Sequence, residues 1–479
     1  MTRACRGGRQ PETGSHKPIA NGQRLPPSGG EYTSSMPTLA DAPTPRGSRQ
    51  AAVRIIRELR GAGYTAYLAG GCVRDRLLGH DPEDHDVATD ARPEEVRRVW
   101  RSSRYVGEAF GVVLARVGEV RVEVATFRRE SGYDDHRRPT RVEFTDARED
   151  ALRRDFTING LFEDPVPDPA GDTPREAKTR RLEEGSVVID FVDGLRDLEA
   201  GVIRAIGDPA ERFEEDYLRM LRAVRFAARL GFKLDDATAR AIGPLARHLG
   251  SISRERIGDE TRRMLTGARP AAAAVLCQRL RLDGPTLNED HAEPDLATLR
   301  ALEETRGHAP LPVALAAWMV DRHTTGRDVS RLAAFADHGS TRVIRRWRDA
   351  LCLSNAERDD LGRLFRAIPE ALRWGELPKA KRKRLLAAPG YPLARALLHV
   401  AGGAAIAEQI DRDAAPLIDE GLTPAPFITG EDLIALGHQP GPDFKALLES
   451  VYDAQLAGDV TNREQALETL REQAGSPHH

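Results

Sequence analysis

The sequence predicts an α+β fold: a small head built on a mixed sheet, followed by a mainly α-helical remainder. Three observations carry this. Between Gln50 and Phe127 short apolar runs alternate with glycine and polar turns, the pattern of strands interleaved with helices. After Asp208-Pro209 the composition turns to Ala, Leu, Arg and Glu, with Gly and Pro confined to joints. At 479 residues the chain also exceeds what one core usually supports, so several packed units are expected.

Residues 1–47 are rich in Gly, Pro, Ser and Thr and poor in large apolar side chains. Such a stretch cannot offset the entropy of ordering, and we expect a disordered extension; Met36 lies inside it and could equally be the first residue. Val53, Ile55, Ile56 and Leu59 then recur at helical spacing, and Tyr67-Leu68-Ala69 reads as a strand running into Gly70-Gly71. His85 to Thr89, Val112 to Val117 and Val120 to Phe127 are further strands, the last two joined by a Gly118-Glu119 hairpin turn. Turn-forming residues crowd Pro165 to Glu184 and Asp283 to Asp295, which read as loops or insertions.

The bulk figures exclude more than they identify. A formal charge of −3 gives no overall basic field, so a nucleic-acid partner would have to be held by local arginine placement. Cys5, Cys72, Cys277 and Cys352 are scattered, with neither a disulfide framework nor zinc-site spacing, which fits a reducing cytoplasm. No run of about 18 apolar residues is present and the N-terminus lacks the apolar core of a signal peptide, so no membrane role and no obligate protein partner is inferred.

The sharpest local feature is Leu68-Ala-Gly-Gly-Cys-Val-Arg-Asp-Arg-Leu-Leu-Gly79, followed by Asp84-His-Asp86. Gly70 and Gly71 before a helix let backbone N–H groups approach a phosphate, and Arg74 adds positive charge. Asp84 and Asp86, two apart on a strand, point to one face. Transfer of a nucleotidyl group uses two Mg²⁺ ions, hard cations that want clustered carboxylate oxygens. Glu123, on a neighbouring strand, is the candidate third carboxylate; residue pattern alone leaves it open between ligand and surface residue. His85 alternates to the opposite strand face and reads as structural.

In this order the glycine turn and the aspartate pair resemble the signature of the polymerase-β-type nucleotidyltransferases, specifically the bacterial CCA-adding and poly(A) polymerase branch. Arg153-Arg-Asp-Phe-Thr-Ile-Asn159 resembles that family's second motif, and the stretch from Gly207 to Phe226 resembles its nucleotide-selecting helix. Ser253-Arg-Glu-Arg-Ile257 resembles the turn closing its neck domain. The resemblance implies a catalytic head over residues 48–192, a nucleotide-selecting neck over 193–268, and an RNA-binding helical body and tail over 269–479. It further implies addition of C, C and A to the tRNA 3′ end from CTP and ATP, with Mg²⁺ as cofactor and the acceptor arm as RNA partner.

Arg154 and Asp155 suit triphosphate and ribose contact, with Asp155 an acceptor for a 2′-hydroxyl; Asn159 either binds phosphate or stays structural. Asp216 and Arg219, three apart on a helix, can face one base. A carboxylate accepts from the exocyclic amine shared by C and A and repels the carbonyl oxygen of U and G, so selection needs no nucleic-acid template. Arg222 and Arg225 follow at three-residue steps; the resemblance aims them at the nucleotide, whereas spacing alone fits a solvated face. Arg128 to Val142 resembles the family's mobile loop linked to the switch from C to A. Lys379, Lys381, Arg382, Lys383 and Arg384 form the densest basic run, either an RNA contact or a solvated helix start. Relatives with a phosphohydrolase domain carry a His-Asp pair after the neck, and here such pairs occur only at His80-Asp81 and His85-Asp86, so no phosphohydrolase activity is expected. The poly(A) members share a basic Gly-Arg-Arg-Phe-like stretch where this chain has Gly107-Glu-Ala-Phe-Gly111, which favours CCA addition over poly(A) synthesis.

Overall fold

The computed structural model describes residues 47–479, apart from 108–110, 133–140, 168–173, 175, 306–308, 437 and 475–479. The expected disordered extension and the tip of the Arg128–Val142 loop therefore lie outside the described residues.

The strands are β1 (Ala66–Ala69), β2 (Val87–Thr89), β3 (Ser103–Gly107), β4 (Val112–Val117), β5 (Val120–Thr126), β6 (Arg128–Ser131), β7 (Arg141–Phe144), β8 (Leu161–Asp164), β9 (Lys178–Arg181), β10 (Val187–Asp190), β11 (Val202–Ile203) and β12 (Lys233–Leu234). Eight of them form one sheet in the order β3-β4-β5-β2-β1-β8-β10-β9. Its pairings are antiparallel except β2 with β5, where Val87 lies beside Val124. Strand alternation gives the sheet two buried faces. Ala66, Leu68, Val87, Val122 and Val124 join the main core, while Tyr67, Ala69, Ala88, Phe162 and Ile189 form a second cluster on the other side.

Helices α1 (Ser48–Gly61), α2 (Gly71–Leu77), α3 (Pro93–Val99), α4 (Ala147–Leu152) and α5 (Gly194–Ala200) complete the head region. The apolar stripe foreseen in α1 is there: Ile55, Ile56 and Leu59 are fully buried. Next come α6 (Pro209–Glu215), α7 (Leu218–Leu230), α8 (Asp236–Leu245) and α9 (Arg254–Leu265). Asp208 starts α6 by accepting from the Ala210 and Glu211 amides at 2.9 and 3.0 Å, with Pro209 at the first helical position.

The rest is helical: α10 (Pro270–Arg279), α11 (Asp283–Leu287), α12 (Ala297–Glu304), α13 (Leu311–His323), α14 (Val329–Ala334), α15 (Ser340–Leu351), α16 (Asn355–Leu372), α17 (Lys379–Ala387), α18 (Tyr391–Val400), α19 (Ala404–Asp419), α20 (Gly430–Ala435), α21 (Pro442–Ala457) and α22 (Arg463–Ala474). Trp318, Trp347 and Trp374 anchor this core, and a separate cluster around Leu433, Val451 and Leu470 holds the last helices together. The mixed-sheet head and helical remainder match the expected fold class.

Two expected loops contain regular structure. β9 lies within Pro165 to Glu184, and α11 opens the Asp283 to Asp295 segment. Asp283 is fully buried there, accepting from Arg322 at 2.8 Å and bonded to His291 at 2.7 Å. A polar residue suggestive of a turn is thus the hub of a buried ion cluster, a distinction that sequence-local reasoning cannot draw.

Candidate active site

The pocket opens where strands β1 and β2 meet the helical segment that follows the head. Ala69 N donates to Asp86 O at 3.0 Å and Gly70 N to Leu161 O at 3.0 Å, which fixes the glycine turn between β2 and β8. Gly70 has φ +72°, and a Cβ there would stand 2.7 Å from the Arg154 guanidinium, so the turn is open to glycine alone. A cavity of about 580 Å³ results. Of the expected residues, Gly70, Gly71, Arg74, Asp84, Asp86, Arg154, Asp155, Asn159, Asp216, Arg219, Arg222 and Arg225 all line it. Glu123 does not; it is exposed on β5, next to Asp86 by extension of the Val87–Val124 register.

The carboxylates nevertheless sense one another. Burial pushes the Asp86 carboxyl up to about 6, helped by the charges of Glu123 and Asp84 and only partly opposed by Arg154. Uncompensated negative charge at a half-enclosed position is what a divalent cation relieves, so the donor set suits a hard divalent cation. Among the described residues no three His, Cys, Asp or Glu side chains stand close enough to hold an ion on their own, and oxygens of a bound triphosphate would have to complete the shell. His85 turns away, bonded through Nδ1 to Ser48 Oγ at 2.6 Å, in keeping with its structural reading.

Below the turn, buried Arg74 binds Asp75 Oδ1 at 2.8 Å and Asn159 Oδ1 at 2.6 Å. Arg154 is oriented by Asp150 at 3.0 Å and by the Asn159 carbonyl at 3.0 Å. Asp155 is more fully engaged than a ribose acceptor need be. Its Oδ1 accepts from Phe156 N at 2.8 Å and Asn159 Nδ2 at 3.0 Å, and its Oδ2 from Arg222 Nε at 2.8 Å and Nη2 at 2.6 Å. Burial opposes its charge, but Arg222 and Asn159 hold the carboxyl far below the usual carboxylate range.

Asp216 and Arg219 meet differently from the continuous helix expected. Asp216 has extended backbone (φ −153°, ψ 103°) and separates α6 from α7. Its Oδ1 accepts from Leu218 N at 3.1 Å and its carbonyl from Arg219 N at 3.0 Å. Aspartate competes for backbone amides and so breaks the helix and starts the next, which still leaves both side chains on the pocket wall. Arg219 pairs with Glu215 and donates to the Arg212 carbonyl at 2.9 Å. Arg225 pairs with Glu260 at 2.6 Å.

Two pocket arginines, Arg229 and Arg256, escaped sequence reasoning. Arg229 pairs with Asp75 at 3.1 Å, and Arg256 grips Asp216. The signal for Arg256 was present in Ser253 to Ile257, but nothing in the sequence says that α9 packs against α7. The basic run Lys379 to Arg384 lies elsewhere and is largely occupied. Lys379 and Lys383 both bind Glu420, at 2.7 and 2.9 Å, Arg384 binds Asp453 at 2.5 Å, and Arg382 donates to the Trp374 carbonyl at 3.1 Å. These bonds tie α17 to the end of α19 and to α21.

A glycine turn, an aspartate pair and an arginine-lined cavity are together the arrangement that the resemblance to polymerase-β-type nucleotidyltransferases implies. Residues 66–204 match the "Poly A polymerase head domain" and residues 231–282 the "Probable RNA and SrmB- binding site of polymerase A". Over these residues the chain resembles the bacterial CCA-adding enzymes and poly(A) polymerases. It is 44% identical over 224 residues to a CCA-adding enzyme of Lactiplantibacillus plantarum, covering 47% of this chain and 50% of that protein. With a CCA-adding enzyme of Pediococcus pentosaceus the identity is 42% over 217 residues, 45% of this chain and 50% of the relative. The chain thus spans about half the length of the curated relatives it matches. The CCA-adding enzyme of Bacillus stearothermophilus, solved in complex with CTP, superposes with a TM-score of 0.63 at 28% identity, over 89% of this chain and 97% of that one. The Thermotoga maritima CCA-adding enzyme complexed with tRNA shares the fold, with a TM-score of 0.59 at 20% identity over 89% and 95% of the two chains.

Proposed function

We propose that the protein is a tRNA nucleotidyltransferase that adds C, C and A to the tRNA 3′ end from CTP and ATP, in the cytoplasm and without a nucleic-acid template. The observation that carries this reading is the single cavity shared by the Asp84/Asp86 pair, the Gly70 turn and the Asp216/Arg219 pair. Residues 48–192 serve as catalytic head, 193–268 as the nucleotide-selecting neck, and 269–479 as the body and tail along which the acceptor arm lies. Matched relatives bear the name CCA-adding enzyme, and solved neighbours hold CTP, ATP or tRNA.

The reaction is attack of the RNA 3′-hydroxyl oxygen on the α-phosphorus. The bond from that phosphorus to the bridging oxygen breaks, pyrophosphate leaves with the electron pair, and the hydroxyl proton is lost to solvent. Gly70, Gly71, Arg74, Arg154 and Asn159 receive the triphosphate. Asp216 accepts from the exocyclic amine of C or A while Arg219 donates to the same edge. Arg222 holds Asp155 and Arg225 holds Glu260, which fixes the wall behind the nucleotide. Mg²⁺ bound by Asp84, Asp86 and Glu123 would supply charge stabilisation at the reacting phosphate.

The test is incubation with Mg²⁺ and transcripts ending before CCA, after C and after CC, with CTP, ATP or both, resolved to single nucleotides. Products that stop at CCA establish the reading. Stopping at CC, adding A only to the CC-ended transcript, or running into an A tail would reassign the chain to a partial enzyme or a poly(A) polymerase. No product from folded protein would leave a non-catalytic RNA-binding role.

A further inference from the structure

A second basic feature lies on the sheet outside the pocket. Arg101, Ser103, Arg104, Leu114, Arg116 and Arg121 are among the residues around a notch of about 460 Å³ across β3, β4 and β5. Arg116 is paired with Glu119 at 2.7 Å. Arg101, Arg104 and Arg121 are exposed, and among the described residues none of their guanidinium groups has an ion-pair or hydrogen-bond partner. The Lys379–Arg384 run, by contrast, spends most of its charge on internal carboxylates and carbonyls. In a chain of net charge −3, unspent guanidinium groups gathered in one concavity form a local field for anions.

Register fixes where this notch stands. Arg104 pairs with Leu114 and Leu114 with Glu123, and the Val87–Val124 pairing carries the same row on to Asp86. Arg121, two residues before Glu123 and opposite Arg116, shares the face of Glu123 about 7 Å along the strand. The notch therefore shares the carboxylate face and the carboxylate end of the sheet, with β5 between it and Asp86. The residues proposed to receive the triphosphate lie to the other side, where Gly70 follows β1 and Asn159 precedes β8. In-line displacement sets the attacking hydroxyl opposite the departing pyrophosphate, so the RNA must come from the β5 side.

Resting on the nucleotidyltransferase reading, we propose that the Arg101/Arg104/Arg121 notch binds backbone phosphates of the strand being extended, in the few nucleotides just upstream of its 3′ end. Guanidinium forks match phosphate oxygens bidentately and read no base. That suits an enzyme whose substrate end changes sequence after every addition.

The experiment compares full-length Arg104→Ala/Arg121→Ala and Arg104→Lys/Arg121→Lys proteins with the wild type. Binding of a tRNA transcript ending before CCA is titrated by fluorescence anisotropy over a salt series, and binding of CTP by calorimetry. The alanine pair should weaken tRNA binding roughly ten-fold and lower the slope of log Kd against log salt by roughly 1.5. CTP affinity should stay unchanged, and the lysine pair should keep most of the tRNA affinity. Unaltered tRNA affinity and slope in the alanine pair overturns the proposal, as does a parallel loss of CTP affinity in both pairs. A wild-type protein that extends no transcript sinks the functional reading instead; extension by the wild type with unaltered tRNA affinity in the variant sinks only the notch.

Discussion

Arg256 holds Asp216 by both ends of its guanidinium, Nη1 to Oδ1 at 3.2 Å and Nη2 to Oδ2 at 2.6 Å. The residue proposed to read the base is thus oriented from the first turn of α9, forty positions along the chain. Oδ1 is filled by Leu218 N and Arg256, whereas Oδ2 accepts from Arg256 alone and keeps a lone pair available to a base amine.

Replacing Arg256 with Ala lets the Asp216 side chain rotate away from that orientation. The ratio of kcat/KM for CTP to that for UTP should then fall about ten-fold, the equivalent of one lost charge-assisted hydrogen bond. A merely structural role would lower both rates together. An unchanged ratio in single-nucleotide extension assays would refute the positioning role.

At Gly70 the backbone is left-handed and the space for a Cβ is taken by Arg154 Nη1 at 2.7 Å. Gly70→Ala must strain the turn by about 1–2 kcal/mol or push Arg154 off Asp150 and the Asn159 carbonyl. We expect KM for CTP to rise roughly ten-fold with tRNA affinity preserved, since the arginine clamp is proposed to act on the nucleotide. Calorimetric CTP binding that matches the wild type would contradict this.

The sequence was most legible where chemistry demands unusual residues in close order. Gly70, Asp84 and Asp86 lie within seventeen residues and announced the turn and the neighbouring strand, but β2 begins only at Val87, so the two aspartates stand in the segment just before it rather than on the strand as expected. Alternation placed β4 and β5, and helical spacing placed α1. Edge strand β3 was missed because Ser103 and Arg104 carry no apolar alternation, and β8 because Leu161 to Phe162 extends a motif read for its polar residues. Asp216 was assigned to an unbroken helix on charge spacing, whereas its capping chemistry ends one helix and begins another. Arg256 and Arg229 were beyond reach for a different reason: tertiary packing, not local pattern, brings them to the pocket.

The body holds a buried ion cluster with a pH signature. Glu289 binds Arg322 at 3.0 Å, His323 at 3.2 Å and the Trp347 indole at 3.0 Å. Burial alone would raise its carboxyl, yet His323, Trp347 and Arg322 together hold it at about 2, below the ordinary 4.5. A depressed carboxylate contributes stability that is present above pH 4.5 and lost as pH falls towards 2. Glu289→Gln should lower stability at neutral pH by roughly 3 kcal/mol and flatten the acid limb of the unfolding curve. Denaturant melts at pH 7 and pH 3 test this; equal losses at both values would exclude the cluster as the source.

Gly258 stands on α9 with its Cα against α15, where an added Cβ would sit 2.0 Å from the Leu351 carbonyl oxygen. Neither neighbour can yield, because both are helix backbone and Arg262 next to it is tied to Glu357 at 2.8 Å and to the Cys352 carbonyl at 2.9 Å. Gly258→Ala must therefore separate the two helices, at a cost of roughly 1–3 kcal/mol. Helix propensity acts the other way, favouring alanine by about 1 kcal/mol, so a net loss in a thermal melt reports the steric term. The same shift moves Arg256, two residues earlier on α9, relative to Asp216. A variant that folds should consequently show weaker CTP discrimination as well as a lower Tm, whereas Gly243→Ala, inside α8 with nothing within 4 Å of its Cβ position, should leave discrimination unchanged and raise Tm slightly through helix propensity.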